Sequence, residues 1–136
     1  MATATGKYLG DLRVELRHEQ SGATIVTDAP VDNHGKGEAF SPTDMVGAAL
    51  GACAMTIIGI YAQTHGVDVS GMEMAVNKTM SADPRRIGKL EVTFTMPKRA
   101  YSDKEKASIE RAAHTCPVRM SLHPDTEQVF TFVWQD

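Results

Sequence analysis

Two cysteines are the residues of this sequence best suited to covalent chemistry. Cys53 lies within a long uncharged segment, and Cys116 directly precedes Pro117. A thiolate can attack a peroxide oxygen and become a sulfenic acid, which a second thiol converts into a disulfide that a cellular reductant reopens. The two residues could therefore run a peroxide-reducing cycle. The alternative is that both are free, buried thiols that behave as small apolar side chains.

The sequence predicts different environments for the two thiols. Cys116 stands at the predicted start of a short helix, where the helix dipole and free N–H groups stabilise an anion, so we expect its pKa to be lowered. Cys53 lies in the middle of a helix among apolar neighbours, where burial alone leaves a thiol inert. A reactive Cys53 therefore requires a cation from another segment. Arg13, Arg17 and Arg119 are the candidates, and the sequence does not choose among them.

An oxygen-bearing side chain could in turn orient that cation. The candidates are Glu38, Thr43 and Asp44, which lie before or at the start of the long helix. No spacing of cysteines and histidines resembles a pair of zinc ligands. We therefore expect neither a metal nor a cofactor.

The element that must position Cys53 is a long helix with a clear beginning and end. Ser41 can cap it, Pro42 suits its first turn, and Asp44 can complete a capping box. The helix is predicted to end near His65, where Gly66 can terminate it.

This helix carries no charge from Met45 to Ala62. Its length reaches the lower limit for a membrane span, but it is rich in Gly and Ala, contains Thr56 and is flanked by soluble-looking strands, so we expect no membrane insertion.

A helix that is apolar all round should be buried all round. One small sheet covers one side, and a second copy of the chain would cover the other; Gly47, Gly51 and Gly59 would let its backbone approach. The alternative is a monomer whose own sheet and C-terminal helices enclose the helix.

The remaining segments predict an α+β domain. Apolar residues alternate with polar ones in several segments, and turn residues separate these segments, which predicts strands. One strand is predicted within Lys7–His18, where Leu12, Val14 and Leu16 share a face, and a short strand is possible before Ser41. The other predicted strands are Ala23–Asp28, Val67–Met80, Ile87–Met96 and Val129–Trp134. Ser102 and Glu105 form a second capping box, whose helix is predicted to end near His114.

Size and charge limit the classes of function. The 136 residues correspond to one domain, 1–136, and the net charge is −3. No basic surface for nucleic acid and no Lys/Arg run for a membrane surface are expected. The N-terminal residues contain no apolar segment typical of a signal peptide, so we expect a cytoplasmic protein.

Two segments together resemble one protein family. The run FSPTDMVGAALGAC, Phe40–Cys53, and the downstream TCPV, Thr115–Val118, are similar to the OsmC/Ohr family of osmotically inducible and organic hydroperoxide resistance proteins. The lead-in segments Thr27–Pro30 and Asn33–Glu38 resemble one branch of that family, and the order of predicted elements agrees over essentially the whole chain.

The resemblance implies an OsmC-like fold: an intertwined homodimer in which antiparallel sheets from both subunits enclose the long central helices. It implies that Cys53 is the peroxidatic thiol and Cys116 the resolving thiol. Active sites near the subunit interface would accept alkyl or fatty-acid hydroperoxides. The partner reductant would be a dithiol, such as a lipoyl group or a thioredoxin-like protein.

One residue departs from the family pattern. Characterised members carry Glu after the proline of the helix start, where this chain has Thr43. That Glu holds an arginine against the thiolate; Arg13 is the first choice for this arginine, and Asp44 is interpreted as a helix cap. The leading hypothesis is therefore a thiol-dependent hydroperoxide reductase that uses Cys53, Cys116 and Arg13. The alternative is a non-catalytic thiol sensor or a dimer that binds an apolar ligand.

Overall fold

The chain contains six strands, three α-helices and one 3-10 turn in a computed structural model that describes residues 1–136. These elements form two compact units, Met1–Val46 and Gly47–Asp136. The α+β class is confirmed. The prediction of a single domain over 1–136 stays a prediction.

The first unit is built on a three-stranded antiparallel sheet. Its strands, in spatial order, are β1 (Ala4–Gly10), β2 (Arg13–His18) and β3 (Thr24–Asp28). The predicted stretch Lys7–His18 therefore contains parts of two strands. Asp11 and Leu12 form the turn between them with φ values of 54° and 65°, so Leu12 does not share a strand face with Val14. The possible strand before Ser41 is absent, and a 3-10 turn occupies Val31–Asn33 instead.

The long helix α1 spans Pro42–His65, as predicted. Its capping box is formed: the Asp44 N–H donates to Ser41 Oγ, and the Ser41 N–H donates to Asp44 Oδ2, both over 3.0 Å. Gly66 follows the helix with a φ of 66°, a left-handed conformation that glycine adopts without strain. These local signals fix where Cys53 stands in the helix.

The second unit holds the other sheet and two further helices. They are β4 (Glu73–Ser81), β5 (Arg86–Thr95), α2 (Asp103–Ala113), α3 (Pro117–Ser121) and β6 (Glu127–Val133). Strand β4 pairs antiparallel with β5, but β6 pairs parallel with β5. The expectation of purely antiparallel sheets is therefore wrong, because α2 and α3 carry the chain back to the start of the sheet before β6 begins. Strand β4 also starts later than predicted, after a turn at Gly71.

One stripe of α1 packs against the β4–β5 sheet. Its buried residues are Gly47, Leu50, Gly51, Ala54, Ile58 and Ala62. A Cβ on Gly47 would lie 3.1 Å from both Leu90 Cδ2 and Val76 Cγ1, and a Cβ on Gly51 would overlap Met74 Sδ. These two glycines therefore bring α1 close to its own sheet rather than to a second copy.

The rest of the α1 surface is not covered by the chain. Ile60 is 54% exposed, and only 33% of the most apolar 18-residue window of the helix is buried. The fully enclosed helix of the monomer alternative is thus not observed. By length and composition alone, α1 is the one helix of the chain that could cross a membrane.

Two glycines of α1 should respond differently to the same substitution. Gly51→Ala should lower the free energy of unfolding relative to Gly59→Ala by about 1 kcal/mol, the lower end of the usual overpacking cost, because the flexible end of the Met74 side chain can move aside. At Gly59 no atom lies within 4 Å of the added Cβ, so the helix propensity of alanine adds about 1 kcal/mol. Urea unfolding of both variants measures the difference. A Gly51→Ala protein as stable as Gly59→Ala would contradict the close contact with Met74.

Candidate active site

Helix α1 brings Cys53 close to Cys116, near enough for Cys53 to raise the pKa of the Cys116 thiol. Cys53 is partly exposed, Cys116 is completely buried, and both are reduced. The two residues are far apart in the sequence, and their meeting depends on α1 and the start of α3 packing within the same unit. The fold therefore places an accessible thiol next to a buried one.

Cys116 is the N-cap of α3. Its Sγ accepts a hydrogen bond from the Arg119 N–H over 3.3 Å, the position at which a serine or aspartate oxygen usually caps a helix. Burial nevertheless raises the pKa of the Cys116 thiol, and the neighbouring Cys53 raises it further, against the lowering by the N–H groups of Arg119 and Val118. The predicted lowering is therefore wrong, because the burial of Cys116 outweighs the N–H groups at the start of a helix of only five residues.

A raised pKa gives a testable pH dependence of alkylation. Because the neutral thiol is the form favoured below the pKa, Cys116 in a Cys53→Ala variant should react with iodoacetamide at pH 7.5 at least about tenfold more slowly than a free cysteine peptide. The rate should rise only above pH 9. Peptide mass spectrometry over a pH series measures it, with guanidinium-unfolded protein as the control. Equal alkylation rates in the folded variant and the peptide at pH 7.5 would contradict a raised pKa of the Cys116 thiol.

Arg13 belongs to an acidic cluster in the first unit. Its Nε donates to Asp28 Oδ1 and its Nη2 to Asp28 Oδ2, each over 2.8 Å, and Nη2 also donates to Glu38 Oε1 over 3.3 Å. The two-pronged contact follows from strand register, because Arg13 pairs directly with Asp28 across β2 and β3. The Arg13 guanidinium holds the pKa of the Asp28 carboxyl below its usual range, and Asp28 raises the pKa of Arg13.

The other two candidate cations have different surroundings. Arg17 is exposed and lies 3.8 Å from a carboxylate oxygen of Glu19. Arg119 places its Cζ 5.0 Å from the ring centre of Phe130, and its Nη1 is buried without a hydrogen bond. Gln128 fixes the backbone there by donating to the Arg119 carbonyl over 3.1 Å. Arg119 thus lies on the short helix that Cys116 caps, and Arg13 is the one of the three whose guanidinium is hydrogen-bonded to carboxylates.

The oxygen-bearing side chains that could orient a cation also fall into two groups. Glu38 contacts Arg13, whereas Asp44 caps α1 and Thr43 Oγ1 lies 3.2 Å from Ser41 Oγ. Sequence reasoning missed Asp28, the strongest partner of Arg13. Asp28 could have been found from its place at the end of β3, opposite the start of β2. The pairing register of the two strands, however, is known only once the turn between them is known.

A cavity of about 360 Å³ borders α1 in the second unit. Met55, Gly59 and Ala62 line it together with the loop Val67–Met72. At about 100° per residue, these three positions lie roughly 180–240° around the helix from Cys53. The cavity is thus on the side of α1 away from Cys53.

Comparison with known proteins assigns the chain to a family. The model of the family described as OsmC-like protein matches residues 35–128. This chain belongs to the OsmC-like family. Among curated proteins, no significant sequence match is found.

Solved structures agree with the OsmC-like fold. A proposed osmotic stress induced and detoxification response protein from Psychrobacter arcticus 273-4 is 45% identical, with a TM-score of 0.93 over 97% of this chain and 96% of the other. An organic hydroperoxide resistance protein OsmC from Legionella pneumophila, also described as a predicted redox protein, is 18% identical, with a TM-score of 0.72 and 98% coverage of both chains. An organic hydroperoxide resistance protein from Elizabethkingia anophelis is 14% identical, with a TM-score of 0.75 over 96% of this chain and 93% of the other. The last two likenesses concern the fold alone.

Proposed function

We propose that this OsmC-like protein is a thiol-dependent reductase of organic hydroperoxides that works as a homodimer. The observation that carries the proposal is the proximity of the chain's two thiols, a partly exposed Cys53 and a buried Cys116. A pair with unequal access suits a cycle in which one sulfur meets the substrate and the other remains protected until it is needed.

The proposed cycle has three steps. The Cys53 thiolate attacks the terminal oxygen of R–O–O–H, the O–O bond breaks, and Cys53 becomes a sulfenic acid while the alkoxide takes a proton and leaves as ROH. The Cys116 thiol then attacks the sulfur of the sulfenic acid, forming the disulfide and releasing water. A dithiol reductant reopens that disulfide by exchange and is itself oxidised to a disulfide.

The protonation of Cys116 suits the resolving role. Burial raises the pKa of this thiol, so it is neutral at pH 7 and carries the proton that leaves with the sulfenic oxygen as water. A neutral buried thiol also competes poorly with Cys53 for the peroxide, since the thiolate is the nucleophile. The structure therefore supports a division of labour in which Cys53 reacts first.

Arg13 is the proposed cation of the site. A guanidinium stabilises both the attacking thiolate and the negative charge that develops on the leaving oxygen. Unlike Arg17, it is held by a buried carboxylate, and a fixed donor stabilises a transition state without reorganising.

The preference for organic hydroperoxides is supported by two kinds of observation. The fold neighbours from Legionella pneumophila and Elizabethkingia anophelis are described as organic hydroperoxide resistance proteins, and the relative from Psychrobacter arcticus as a detoxification response protein. In addition, α1 surrounds Cys53 with apolar residues. The proposed role is defence against peroxide stress in the cytoplasm, with a lipoyl or thioredoxin-like dithiol as the reductant and no nucleic-acid or membrane partner.

A steady-state assay tests this function. The purified protein is given cumene hydroperoxide or hydrogen peroxide with dihydrolipoamide as the reductant, and peroxide consumption is followed. We expect turnover with both, and a kcat/KM at least about tenfold higher for cumene hydroperoxide, since an apolar contact of a few methylenes contributes roughly 1–3 kcal/mol. Absence of turnover with adequate reductant would overturn the proposal.

The uncovered apolar face of α1 supports the homodimer. Ala49, Ala52 and Ile60 are exposed on this helix, and the first sheet also exposes Tyr8 and Ile25. Exposed apolar residues along one face of a long helix mark an interaction site in a soluble protein.

The oligomeric state can be tested at Ile60. Light scattering should give the mass of a dimer for the wild-type protein, and Ile60→Glu should shift it towards the monomer, because a buried unpaired carboxylate is strongly unfavourable at an interface. The matched control is Val133→Glu, which places the same charge on an exposed residue of an edge strand. A monomeric wild-type protein at micromolar concentration would contradict the dimer.

A further inference from the structure

Helix α3, which Cys116 caps, is too short to hold its own shape. It has five residues, Pro117–Ser121, which make about 1.4 turns of an α-helix. Isolated helices shorter than about 12–15 residues are marginal in water. The place of the Cys116 thiol therefore depends on the contacts that α3 makes with the rest of the second unit.

Gln128 joins α3 to strand β6. Its Nε2 donates to the Arg119 carbonyl over 3.1 Å, and the N–H of the same Arg119 donates to Cys116 Sγ over 3.3 Å. Gln128 is the second residue of β6, a strand that pairs with β5 along its whole length. Two hydrogen bonds in series thus connect the sheet to the Cys116 sulfur through one residue of α3.

The side chain of Arg119 makes a second link between α3 and the sheet. Its Cζ lies 5.0 Å from the ring centre of Phe130 on β6, a cation–π contact. Phe130 in turn packs edge-on against the buried Phe94 of β5, with ring centres 5.3 Å apart. Backbone and side chain of Arg119 are therefore both attached to the sheet, and this restricts rotation of α3 about its axis.

Packing alone does not explain the amide of Gln128. Its Oε1 is buried without a hydrogen bond, and an unpaired buried acceptor is unfavourable in a folded protein. A methionine would fill nearly the same volume without leaving a polar atom unpaired. What the amide provides, and an apolar side chain would not, is the hydrogen bond to the Arg119 carbonyl.

We propose that Gln128 is a positioning residue for disulfide formation, which fixes α3 so that the Cys116 thiol is aimed at the sulfenic acid of Cys53. This inference rests on the proposed function. In that step the Cys116 sulfur attacks the Cys53 sulfur, an S–S bond forms and the S–O bond breaks, and the oxygen leaves as water with the thiol proton. Such a step depends steeply on geometry, since a misplacement of about 1 Å can slow a reaction roughly 100-fold.

The Gln128→Met variant tests the proposal, because methionine has a similar volume and cannot donate the hydrogen bond. Oxidation of Cys53 by cumene hydroperoxide should stay within about twofold of the wild-type rate, whereas disulfide formation should slow about 10- to 100-fold. Dimedone trapping at successive times, followed by peptide mass spectrometry, measures both rates on one sample. Excess peroxide should also convert more Cys53 to sulfinic acid, since the sulfenic acid lasts longer.

Gln135→Met is the matched control in the same unit. Gln135 Nε2 also donates to a backbone carbonyl, that of Met96, over 2.7 Å, but it lies beyond the other end of β6. Its replacement removes the same kind of hydrogen bond and should leave both rates within about twofold of the wild type. Circular dichroism and thermal unfolding confirm the fold of each variant.

A second variant keeps the test informative if Gln128→Met folds poorly. The exposed Ser121 donates from Oγ to the Pro117 carbonyl over 2.8 Å and so stabilises α3 from within. Ser121→Ala should slow disulfide formation by about two- to fivefold, the effect of one lost hydrogen bond, and leave the oxidation of Cys53 unchanged. Disulfide formation at the wild-type rate in this variant would overturn the proposal.

The outcomes distinguish this inference from the function on which it rests. Disulfide formation at the wild-type rate in folded Gln128→Met would overturn the positioning role alone. An equal slowing of Cys53 oxidation and disulfide formation would also overturn it, because a general loss of stability affects both steps. A wild-type protein whose Cys53 is not oxidised by the peroxide would overturn the proposed function and the inference with it.

Discussion

Cys53→Ser should abolish peroxide turnover, whereas Cys116→Ser should retain a single round of Cys53 oxidation. A serine hydroxyl is not a nucleophile towards peroxide at neutral pH, so kcat should fall by at least about 10³-fold when Cys53 is replaced. Without Cys116 the sulfenic acid still forms but has no neighbouring thiol to condense with. Stopped-flow peroxide consumption measures the first effect, and trapping of the sulfenic acid with dimedone followed by mass spectrometry measures the second.

The reverse pattern would require the roles to be exchanged. If Cys116→Ser lost the first oxidation while Cys53→Ser retained it, the buried thiol would be the peroxidatic one, against its 0% exposure. If both variants consumed peroxide at the wild-type rate, neither thiol would take part in turnover, and the roles assigned to both would be wrong. Cys53→Ala serves as the matched control for any hydrogen bond that the serine makes to Cys116.

Arg13→Gln should lower kcat/KM for cumene hydroperoxide by roughly 10²–10³-fold, the usual loss when one preorganised donor is removed from an anionic transition state. Arg17→Gln is the control on the same strand and should remain within about twofold of the wild type.

The Arg119→Gln variant tests whether Arg13 or Arg119 is the cation that assists Cys53. Arg119 follows Cys116 by one helical turn and packs on Phe130, so its loss should destabilise the α3 region more than it changes the chemistry. A full rate in Arg13→Gln combined with a large loss in a folded Arg119→Gln would move the role of the cation to Arg119. Thermal unfolding of both variants separates a loss of stability from a loss of rate.

Local signals predicted much of the fold correctly. The capping residues Ser41 and Asp44, the start at Pro42 and the glycine after His65 fixed both ends of α1, because a helix terminus depends on residues within a few positions of it. The capping box of Ser102 and Glu105 is likewise confirmed, with Glu105 N–H donating to Ser102 Oγ over 3.1 Å.

Features that depend on distant residues were predicted less well. The parallel pairing of β6 follows from the path of α2 and α3, which no strand pattern encodes. The strand β1 was missed as a separate element because its sequence ATGKYLG barely alternates and all but its last residue are exposed. The direction of the Cys116 pKa shift was wrong because burial by the surrounding fold outweighs the local helix terminus.

In the candidate site, too, local features were predicted better than features that depend on distant residues. The cysteine motifs identified both thiols, but only the fold shows that they are neighbours. Arg13 was singled out from its place in the opening hairpin, yet its strongest partner, Asp28, depends on the register of β2 with β3. The sequence thus identified the candidate groups, and the structure identified their neighbours.

Oxidation of the reduced protein by one equivalent of cumene hydroperoxide tests the central claim most directly. After quenching with an alkylating reagent, peptide mass spectrometry measures the fraction of chains that contain a Cys53–Cys116 disulfide. The account predicts that the peroxide is consumed within seconds and that most chains carry this intrachain bond. Peroxide that persists for minutes while both thiols remain alkylatable would contradict it.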